Sequence, residues 1–367
     1  MRRLTRCGVV SVLALAASGA LLGAQQQQPS IFTPGSTIPV LESYLESLRA
    51  QAGIPGMSGA IVRDGEIAWE RGFGYANLNS HVRTAPDTPY VVGDLTGTLA
   101  AVLALQCVEQ RHLALDDPIE RYGLSSPEPS ATLRGLLSHN PPGSTRDAFQ
   151  YSPERFAHVT ELVEACAPQP YRKSVAHRIL EHLAMQDSAP GTDWKDPGLS
   201  LPDGLFTDED RDHYRAVLDR LAVPYKVTNR TRTDVTTVPT SGINAAAGLV
   251  STVRDLAKFD AALDQGDNGG LLLADTLGAA WTPAVGASGT PSPMGLGWFV
   301  QTYKGERVVW HFGNVPNAYS ALIVKLPARG ITFILLANSD GLTAPFDLTQ
   351  GDVTRSLFAS LFLRLVI

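Results

Sequence analysis

Lysine is scarce in this chain of 367 residues. Only six of its 30 basic residues are lysines, none of them before position 173, and 36 acidic residues give a formal charge of −6. The lysines are Lys173, Lys195, Lys226, Lys258, Lys304 and Lys325. A nucleic-acid-binding protein needs a basic surface, so this acidic balance argues against a nucleic-acid partner. Hydrophobic residues make up 44% of the chain and charged residues 18%, which excludes a wholly disordered or coiled-coil protein.

Cysteine is also rare, with residues Cys7, Cys107 and Cys166. Cys107 and Cys166 could pair in an oxidising compartment, but isolated cysteines are more often small buried hydrophobes, and we favour that interpretation. No zinc pattern is present, because His177 and His182 are five residues apart, a spacing that does not place two ligands on one face of a regular α-helix. The sequence therefore predicts neither a metal nor any other cofactor.

The only candidate membrane segment lies at the N-terminus. Arg2, Arg3 and Arg6 precede a mostly apolar run, residues 8–22, and small residues end it at Ala24. This order is typical of a secretory signal peptide, although an uncleaved membrane anchor is the alternative. We predict a leader over residues 1–24, a linker over 25–38, and a periplasmic or extracellular protein that contacts a membrane only through an uncleaved leader. Loss of three arginines would leave 27 basic against 36 acidic residues, a charge of −9.

Strand patterns occur near both ends of the remaining chain. Asp64-Gly65 between two strand-like runs, 57–63 and 66–75, is a strong hairpin signal. Alternating or solidly apolar runs return after about residue 294, and a final helix is predicted over 354–367. Between them the patterns are mostly helical, with the clearest helix over 95–111. One sheet built from both ends of the chain, residues 39–87 and 235–367, would then carry a mainly helical subdomain over 88–234.

Several segments together resemble the serine β-lactamase and penicillin-binding protein superfamily, in particular its class C β-lactamase, D,D-peptidase and esterase branch. The segments are residues 53–57 (GIPGM) with 64–65 (DG), 113–118 (LALDDP), 136–139 (LLSH), 179–183 (ILEHL) with Met185, 247–252 (AGLVST) with 254–256 (RDL), 295–298 (GLGW), 311–313 (HFG) and 336–339 (LANS). Each is weak alone, but their shared order and spacing are specific. The resemblance implies a mixed α/β fold, with an antiparallel sheet flanked by helices and a helical subdomain inserted between the early and late strands.

The first motif of that family, Ser-x-x-Lys, is missing. In the family the serine is the nucleophile, and the lysine one helical turn later manages its proton. Counting back from the LALDDP segment puts the motif on residues 94–97 (DLTG), so Asp94 and Gly97 replace the serine and the lysine. No other register restores the motif, because none of the six lysines has a serine three positions before it. The chain also lacks a Gly-x-Ser-x-Gly elbow.

The second and third motifs are partly retained. Tyr151-Ser-Pro153 stands for the family's Tyr-x-Asn, so the tyrosine remains and the amide is replaced by proline. With no cation beside it, the Tyr151 phenol should keep an ordinary pKa of about 10 and stay protonated at neutral pH. The third motif survives as residues 311–313, and the backbone N–H of Asn314 resembles half of the family's oxyanion hole. The loop 140–143 (NPPG) also departs from the family pattern.

Each of these residues also has a purely structural interpretation. Asp94 precedes the long predicted helix and suits its N-cap, which we favour over a catalytic role. In the same place its carboxylate could occupy the oxyanion hole and repel the carboxylate of a β-lactam. Gly97 removes any side chain from the pocket floor. Tyr151 could be a pocket wall or a base, His311 a structural strand-end residue, and His139 a turn-stabilising hydrogen-bonding residue. The candidate ligand-binding positions are Asp94, Tyr151, His311, Phe312 and Asn314, with Gly313 retained beside them.

The joint loss of serine, lysine and amide favours an exported protein of this fold that is catalytically degenerate and acts as a binding or regulatory domain. Its partner would be a small molecule, a peptidoglycan fragment or a protein. The alternative is an active hydrolase of small esters, amides or β-lactam-like substrates that uses Tyr151 or His311 with a bound water. A third possibility is a purely structural envelope protein.

Overall fold

The structure is a computed structural model that describes residues 37–124, 128–141, 149–283, 285, 289 and 291–367. The predicted leader, most of the predicted linker and residues 142–143 of the altered loop lie outside this part of the chain. Thr37 and Ile38, assigned to the linker from the sequence, instead begin the first helix. None of the helices in the described ranges has the length and apolarity of a membrane span.

The helices and strands are named here in chain order. The helices are α1 (Thr37–Ala52), α2 (Thr96–Glu109), α3 (Leu133–Leu137), α4 (Pro153–Phe156), α5 (Val159–Cys166), α6 (Tyr171–Val175), α7 (Asp208–Asp219), α8 (Val253–Asp264), α9 (Ala274–Ala280) and α10 (Leu357–Val366). The strands are β1 (Gly56–Arg63), β2 (Glu66–Asn77), β3 (Val82–Arg83), β4 (Tyr90–Val91), β5 (Ala189–Pro190), β6 (Tyr225–Thr228), β7 (Arg232–Val235), β8 (Leu249–Ser251), β9 (Phe299–Tyr303), β10 (Glu306–Val315), β11 (Tyr319–Leu326) and β12 (Ile331–Ala337). A single π-helical turn, Ala176–Glu181, continues α6.

One seven-stranded sheet joins the two ends of the chain, in the order β3-β2-β1-β12-β11-β10-β9. Every pairing within it is antiparallel, and β1 pairs with β12 from Met57 opposite Ala337 to Arg63 opposite Ile331. The predicted hairpin turn is present, with φ of 50° at Asp64 and 83° at Gly65, as a two-residue turn with both φ positive requires. The predicted mixed α/β fold with an antiparallel sheet and flanking helices is confirmed.

Helices cover both faces of the sheet. On one face α1 and α10 bury apolar side chains, and the ring of Phe362 stacks on Phe333 of β12 at 4.8 Å between centroids. On the other face α8 packs against β1 and β12. Helix α2 is buried along nearly its whole length, in the core shared by this face and the helical region. Its first residues therefore lie inside the molecule, beside the end of β10.

The expectation that Cys107 and Cys166 stay unpaired is wrong, because they form a disulfide bond. Cys107 lies in α2 and Cys166 ends α5, and these two helices pack side by side. The packing brings the two Cα atoms to 6.0 Å, within the range that a disulfide spans. The two cysteines are 59 residues apart in the sequence, so their proximity is a consequence of the tertiary fold.

We expect loss of this disulfide to lower the free energy of unfolding by about 4 kcal/mol, because it closes a long loop in the unfolded chain. Cys107→Ala, Cys166→Ala and the double variant should lose similar amounts, since each abolishes the same cross-link. Equilibrium urea unfolding of the three variants, and of the wild type with and without reductant, measures the effect. A wild type whose unfolding midpoint does not respond to reductant would contradict the assignment.

Candidate functional site

Strand β10 and the turn before α2 touch backbone to backbone. A Cβ atom built on Gly313 would stand 1.7 Å from the carbonyl oxygen of Val92, and one on Gly93 would stand 2.9 Å from the Asn314 nitrogen. Gly93 also has a positive φ of 57°. Only glycine permits both features at these positions. The glycine of the third motif, Gly313, therefore has a packing role that does not depend on catalysis.

Asp94 is not the N-cap of α2, contrary to the role we favoured from the sequence. The chain passes through a 3₁₀ turn, Gly93–Leu95, so that Leu95 precedes the helix and provides no side-chain cap. The Asp94 carboxylate turns instead toward the sheet, where its Oδ2 accepts a hydrogen bond of 3.2 Å from the backbone N–H of Asn314. It therefore takes the donor that resembles half of the family's oxyanion hole.

Burial raises the pKa of the Asp94 carboxyl to about 7, because the surroundings disfavour its charged form. The backbone N–H groups of Asn314 and of Asp94 itself oppose this rise by donating to the carboxylate. No cation replaces the missing lysine as a partner for the carboxylate in the described residues around the cavity. Asp94 is therefore divided between its neutral and charged forms near neutral pH.

The space above Gly97 is filled by an aromatic ring. A Cβ atom built on Gly97 would stand 3.3 Å from Cε1 of Phe156 and 3.5 Å from its Cζ. The Cβ atom of any side chain at this position would already be in tight contact with that ring, so a lysine there would require the ring to shift. The cavity that remains among Asp94, Gly97, Tyr151 and the surrounding residues measures about 10 Å³, close to the minimum for a single water molecule.

The segment that contains the second motif, Tyr151-Ser152-Pro153, positions the Phe156 ring over Gly97. Ser152 caps the short helix α4 by accepting from the Arg155 N–H, and Pro153 occupies its first turn, where a missing N–H costs nothing. His139 ties the segment down, because its Nδ1 accepts from the Ser152 N–H at 2.9 Å. Pro153 thus begins a helical turn that carries Phe156 into the pocket.

Five aromatic side chains form one contiguous group, which we name the aromatic plug: His139, Tyr151, Phe156, Phe299 and Phe312. The ring of His139 lies between those of Tyr151 and Phe156, at 4.6 and 5.3 Å between centroids. Tyr151 also contacts Phe312 at 5.2 Å and Phe299 at 5.6 Å. The sequence indicated Tyr151 and Phe312 as candidate ligand-binding residues and His139 as a hydrogen-bonding residue, which it is. Phe156 and Phe299 were missed, since nothing in their local sequence pattern points to a pocket.

Burial holds three of the titratable side chains at the plug in their neutral forms: His139, His311 and Tyr151. Burial lowers the pKa of His311 to about 4, although a contact of 2.7 Å between its Nδ1 and the Phe312 carbonyl oxygen opposes the change. Burial lowers the pKa of His139 to about 3, helped by the charges of His311 and Arg155. Burial and the charge of Asp94 raise the pKa of Tyr151 well above 10, so the ordinary pKa expected from the sequence is wrong while the protonated state is as expected.

Of the four titratable side chains that line the cavity, Asp94 alone has a pKa near neutral pH, and its carboxylate is already held by the Asn314 N–H. The other three are poorly suited to act as a base at neutral pH. A general base is most effective when its pKa lies near the working pH, and the pKa values of His139 and His311 lie too low while that of Tyr151 lies too high. Within the described residues no group of three or more His, Cys, Asp or Glu side chains is placed to hold a metal ion.

We expect Asp94→Asn to stabilise the protein more at pH 8 than at pH 5. The raised pKa of Asp94 means that the native state binds its proton more tightly than the unfolded state, so wild-type stability falls as the pH rises from about 4 to about 7. An asparagine keeps the acceptor for Asn314 and lacks this loss. The difference in unfolding free energy should grow by on the order of 2 kcal/mol over that range.

Urea unfolding of both proteins across this pH range measures the effect. The low pKa values of His139 and His311 destabilise both proteins alike on acidification, so they largely cancel in the comparison. Asp203→Asn, in an exposed loop, is the matched control, and its unfolding free energy should differ from that of the wild type by the same amount at every pH. Parallel pH profiles for Asp94→Asn and the wild type would show that the carboxyl pKa is not raised.

Known proteins share this fold and sequence pattern. The family model described as "Beta-lactamase" matches residues 41–352. "Unguisins hydrolase ungD'" of Aspergillus campestris is 27% identical over 331 residues, which cover 78% of this chain and 59% of that protein. "Putative penicillin-binding protein PbpX" of Bacillus subtilis is 24% identical over 296 residues, covering 72% of this chain and 68% of that protein.

A solved structure supports the same assignment at the level of the fold. The octameric penicillin-binding protein homologue from Pyrococcus abyssi superposes with a TM-score of 0.68 at 22% identity, covering 89% of this chain and 77% of that one. The present chain spans less than two thirds of the length of the Aspergillus relative. The family model nevertheless covers most of the chain, and the sheet and helices agree with it. The chain therefore belongs to the β-lactamase family, whose members are serine hydrolases and penicillin-binding proteins.

Proposed function

We propose that this protein is an exported member of the β-lactamase family that has lost acyl-serine hydrolysis and acts as a binding or regulatory protein. The observation that carries the proposal is the position of Asp94. Its carboxylate stands where the family's nucleophilic serine would be and accepts from the Asn314 N–H. A carboxylate held on that donor occupies the place that a substrate carbonyl oxygen would need.

Two further observations support the loss of hydrolysis. The ring of Phe156 fills the space of the missing lysine, and the cavity of about 10 Å³ has no room for a substrate. The alternative of hydrolysis by Tyr151 or His311 needs a base and a place for both water and substrate. The raised pKa of Tyr151, the low pKa of His311 and the filled cavity all weigh against it.

Export is supported by two independent features. The first 24 residues have the order of a secretory leader, and the Cys107–Cys166 disulfide is a bond that persists in oxidising compartments. The partner is a peptidoglycan fragment, another small molecule or a protein. One relative is described as a putative penicillin-binding protein, which makes penicillin the first ligand to test.

We expect the purified protein to form no covalent adduct with a fluorescent penicillin and to hydrolyse p-nitrophenyl acetate no faster than matched background protein. Loss of a catalytic serine and its proton partner typically costs several powers of ten in turnover. Gel fluorescence and absorbance measure these two outcomes. Labelling of the wild type, or ester turnover that disappears in Tyr151→Phe or His311→Ala, would refute the proposal.

Restoring the function of the first motif should also require removal of the Phe156 ring, which fills the space above Gly97. Asp94→Ser with Gly97→Lys should remain unlabelled by penicillin, because Phe156 blocks the lysine side chain. Adding Phe156→Ala to these two changes should raise labelling at least tenfold, a difference of about 1.4 kcal/mol in the barrier.

Gly97→Lys with Phe156→Ala, which lacks the serine, is the matched control and should stay unlabelled. Equal labelling of the double and triple variants would show that Phe156 is not the obstacle. An unlabelled triple variant with wild-type melting behaviour would show that the altered second motif is an independent block.

A further inference from the structure

A second depression lies at the far end of α2, away from the aromatic plug. Its volume is about 480 Å³, within the usual range of small-molecule sites. Its walls come from α2, the π-helical turn and the segment at Leu271. The lining residues are Gln106, Glu109, Gln110, His177, Arg178, His182, Gly270 and Leu271. Gln106 is nine residues beyond Gly97 along α2, about 14 Å at the helical rise, so the two sites are separate.

The π-helical turn changes how the sequence around it must be interpreted. His177 and His182 are five residues apart, which places them on different faces of a regular α-helix. The chain from Ala176 to Glu181 is instead π-helical, so backbone hydrogen bonds join residues five apart. Both imidazoles consequently line the same depression. Single π-helical turns occur frequently at functional sites.

Arg178 stands between these histidines without a neutralising partner. Its guanidinium is half-buried and donates to Oε1 of Gln106, a neutral amide, at 2.7 Å. Among the described residues no carboxylate forms an ion pair with it. Burial lowers the pKa of Arg178, which is the mark of a cation that has lost water without gaining an anion. A partly buried, unpaired guanidinium at a cavity wall favours an anionic ligand.

The acidic groups at the rim are already engaged. Oε1 of Glu109 accepts from the backbone N–H of Leu273 at 2.8 Å. Glu181 lies 3.3 Å from Nε2 of His177 and pairs with it when the imidazole is protonated. The imidazole of His182 is exposed and makes no hydrogen bond or ion pair in the described part of the chain. Arg178 and His182 therefore face the depression without a carboxylate partner among the described residues.

We propose that this depression, which we name the Arg178 site, binds a small molecule that carries an oxyanionic group. The guanidinium of Arg178 and the imidazole of His182 hold the phosphate or carboxylate oxygens, and the amide of Gln110 lies within the same wall. Leu271 supplies an apolar surface for the rest of the molecule. The site does not depend on the former catalytic centre, so it can act whether or not the proposed loss of hydrolysis is correct.

Isothermal titration of the full chain with phenyl phosphate, phenylacetate and inorganic phosphate tests the proposal, with benzyl alcohol as the uncharged control. We expect phenyl phosphate to bind with a Kd in the millimolar range or below and benzyl alcohol not to bind. Comparison of phenyl phosphate with phenylacetate distinguishes a phosphate from a carboxylate headgroup. Comparison with inorganic phosphate measures the contribution of the apolar wall.

Arg178→Gln should weaken the binding of phenyl phosphate about tenfold or more, since it removes a charge-assisted hydrogen bond. His182→Gln should weaken it about threefold by removing a smaller contribution. Arg230→Gln is the matched control, because Arg230 is an exposed arginine beside another depression, and it should leave binding unchanged.

If Arg178→Gln lowers the melting temperature of the free protein, weaker binding by that variant could reflect partial unfolding. His182→Gln then provides the independent test, because an exposed side chain can be replaced without disturbing the fold. Absence of millimolar binding by all three anions would overturn the proposal. Unchanged affinity in both site variants would overturn it as well, and so would equal weakening in Arg230→Gln.

Discussion

The contact between β10 and the turn before α2 joins the sheet to the buried helix, and the candidate site depends on it. Gly313 and Gly93 let the two backbones meet with no side chain between them. This contact fixes residue 94 opposite the N–H of Asn314, whatever side chain that residue carries. In a hydrolysing relative the geometry would present a nucleophile to a bound carbonyl group. Here it presents a carboxylate to the same donor.

Asp94 and Gly97 affect the same pocket in complementary ways. Without a lysine, the Asp94 carboxylate has no neighbouring cation, and burial raises its pKa to about 7. Without a side chain on Gly97, an unfilled space would cost packing energy, and the ring of Phe156 fills it. The ring brings Tyr151 and His139 into one stack with it. Active sites are commonly less stable than they could be because function constrains them. The candidate site here is packed as tightly as core, which agrees with the proposed loss of hydrolysis.

The sequence predicted the sheet well because its signals are local. The strand-like runs predicted over 57–63 and 66–75 are found in β1 and β2, and the Asp64-Gly65 turn joins these strands as its turn chemistry requires. The resemblance also predicted that Asp94 stands at the family's nucleophile position. Its hydrogen bond to Asn314 could be stated only as one of two alternatives, because a capping aspartate has the same local sequence.

The features that were missed depend on contacts between distant residues. The disulfide forms because α2 and α5 pack together, which no spacing of two cysteines reveals. The position of Phe156 follows from a short helix that Pro153 begins and His139 anchors. The shared face of His177 and His182 follows from a π-helical turn, whose sequence also fits a regular helix.

The two ends of α2 differ in how easily they can bind an anion. Because the Asp94 carboxylate is covalently attached, it competes for the Asn314 N–H at a high effective concentration. An external anion would have to displace it and enter a cavity of about 10 Å³, whereas the guanidinium of Arg178 is unpaired at an open wall. The physical cost of binding an anion is thus high at the start of α2 and lower near its end.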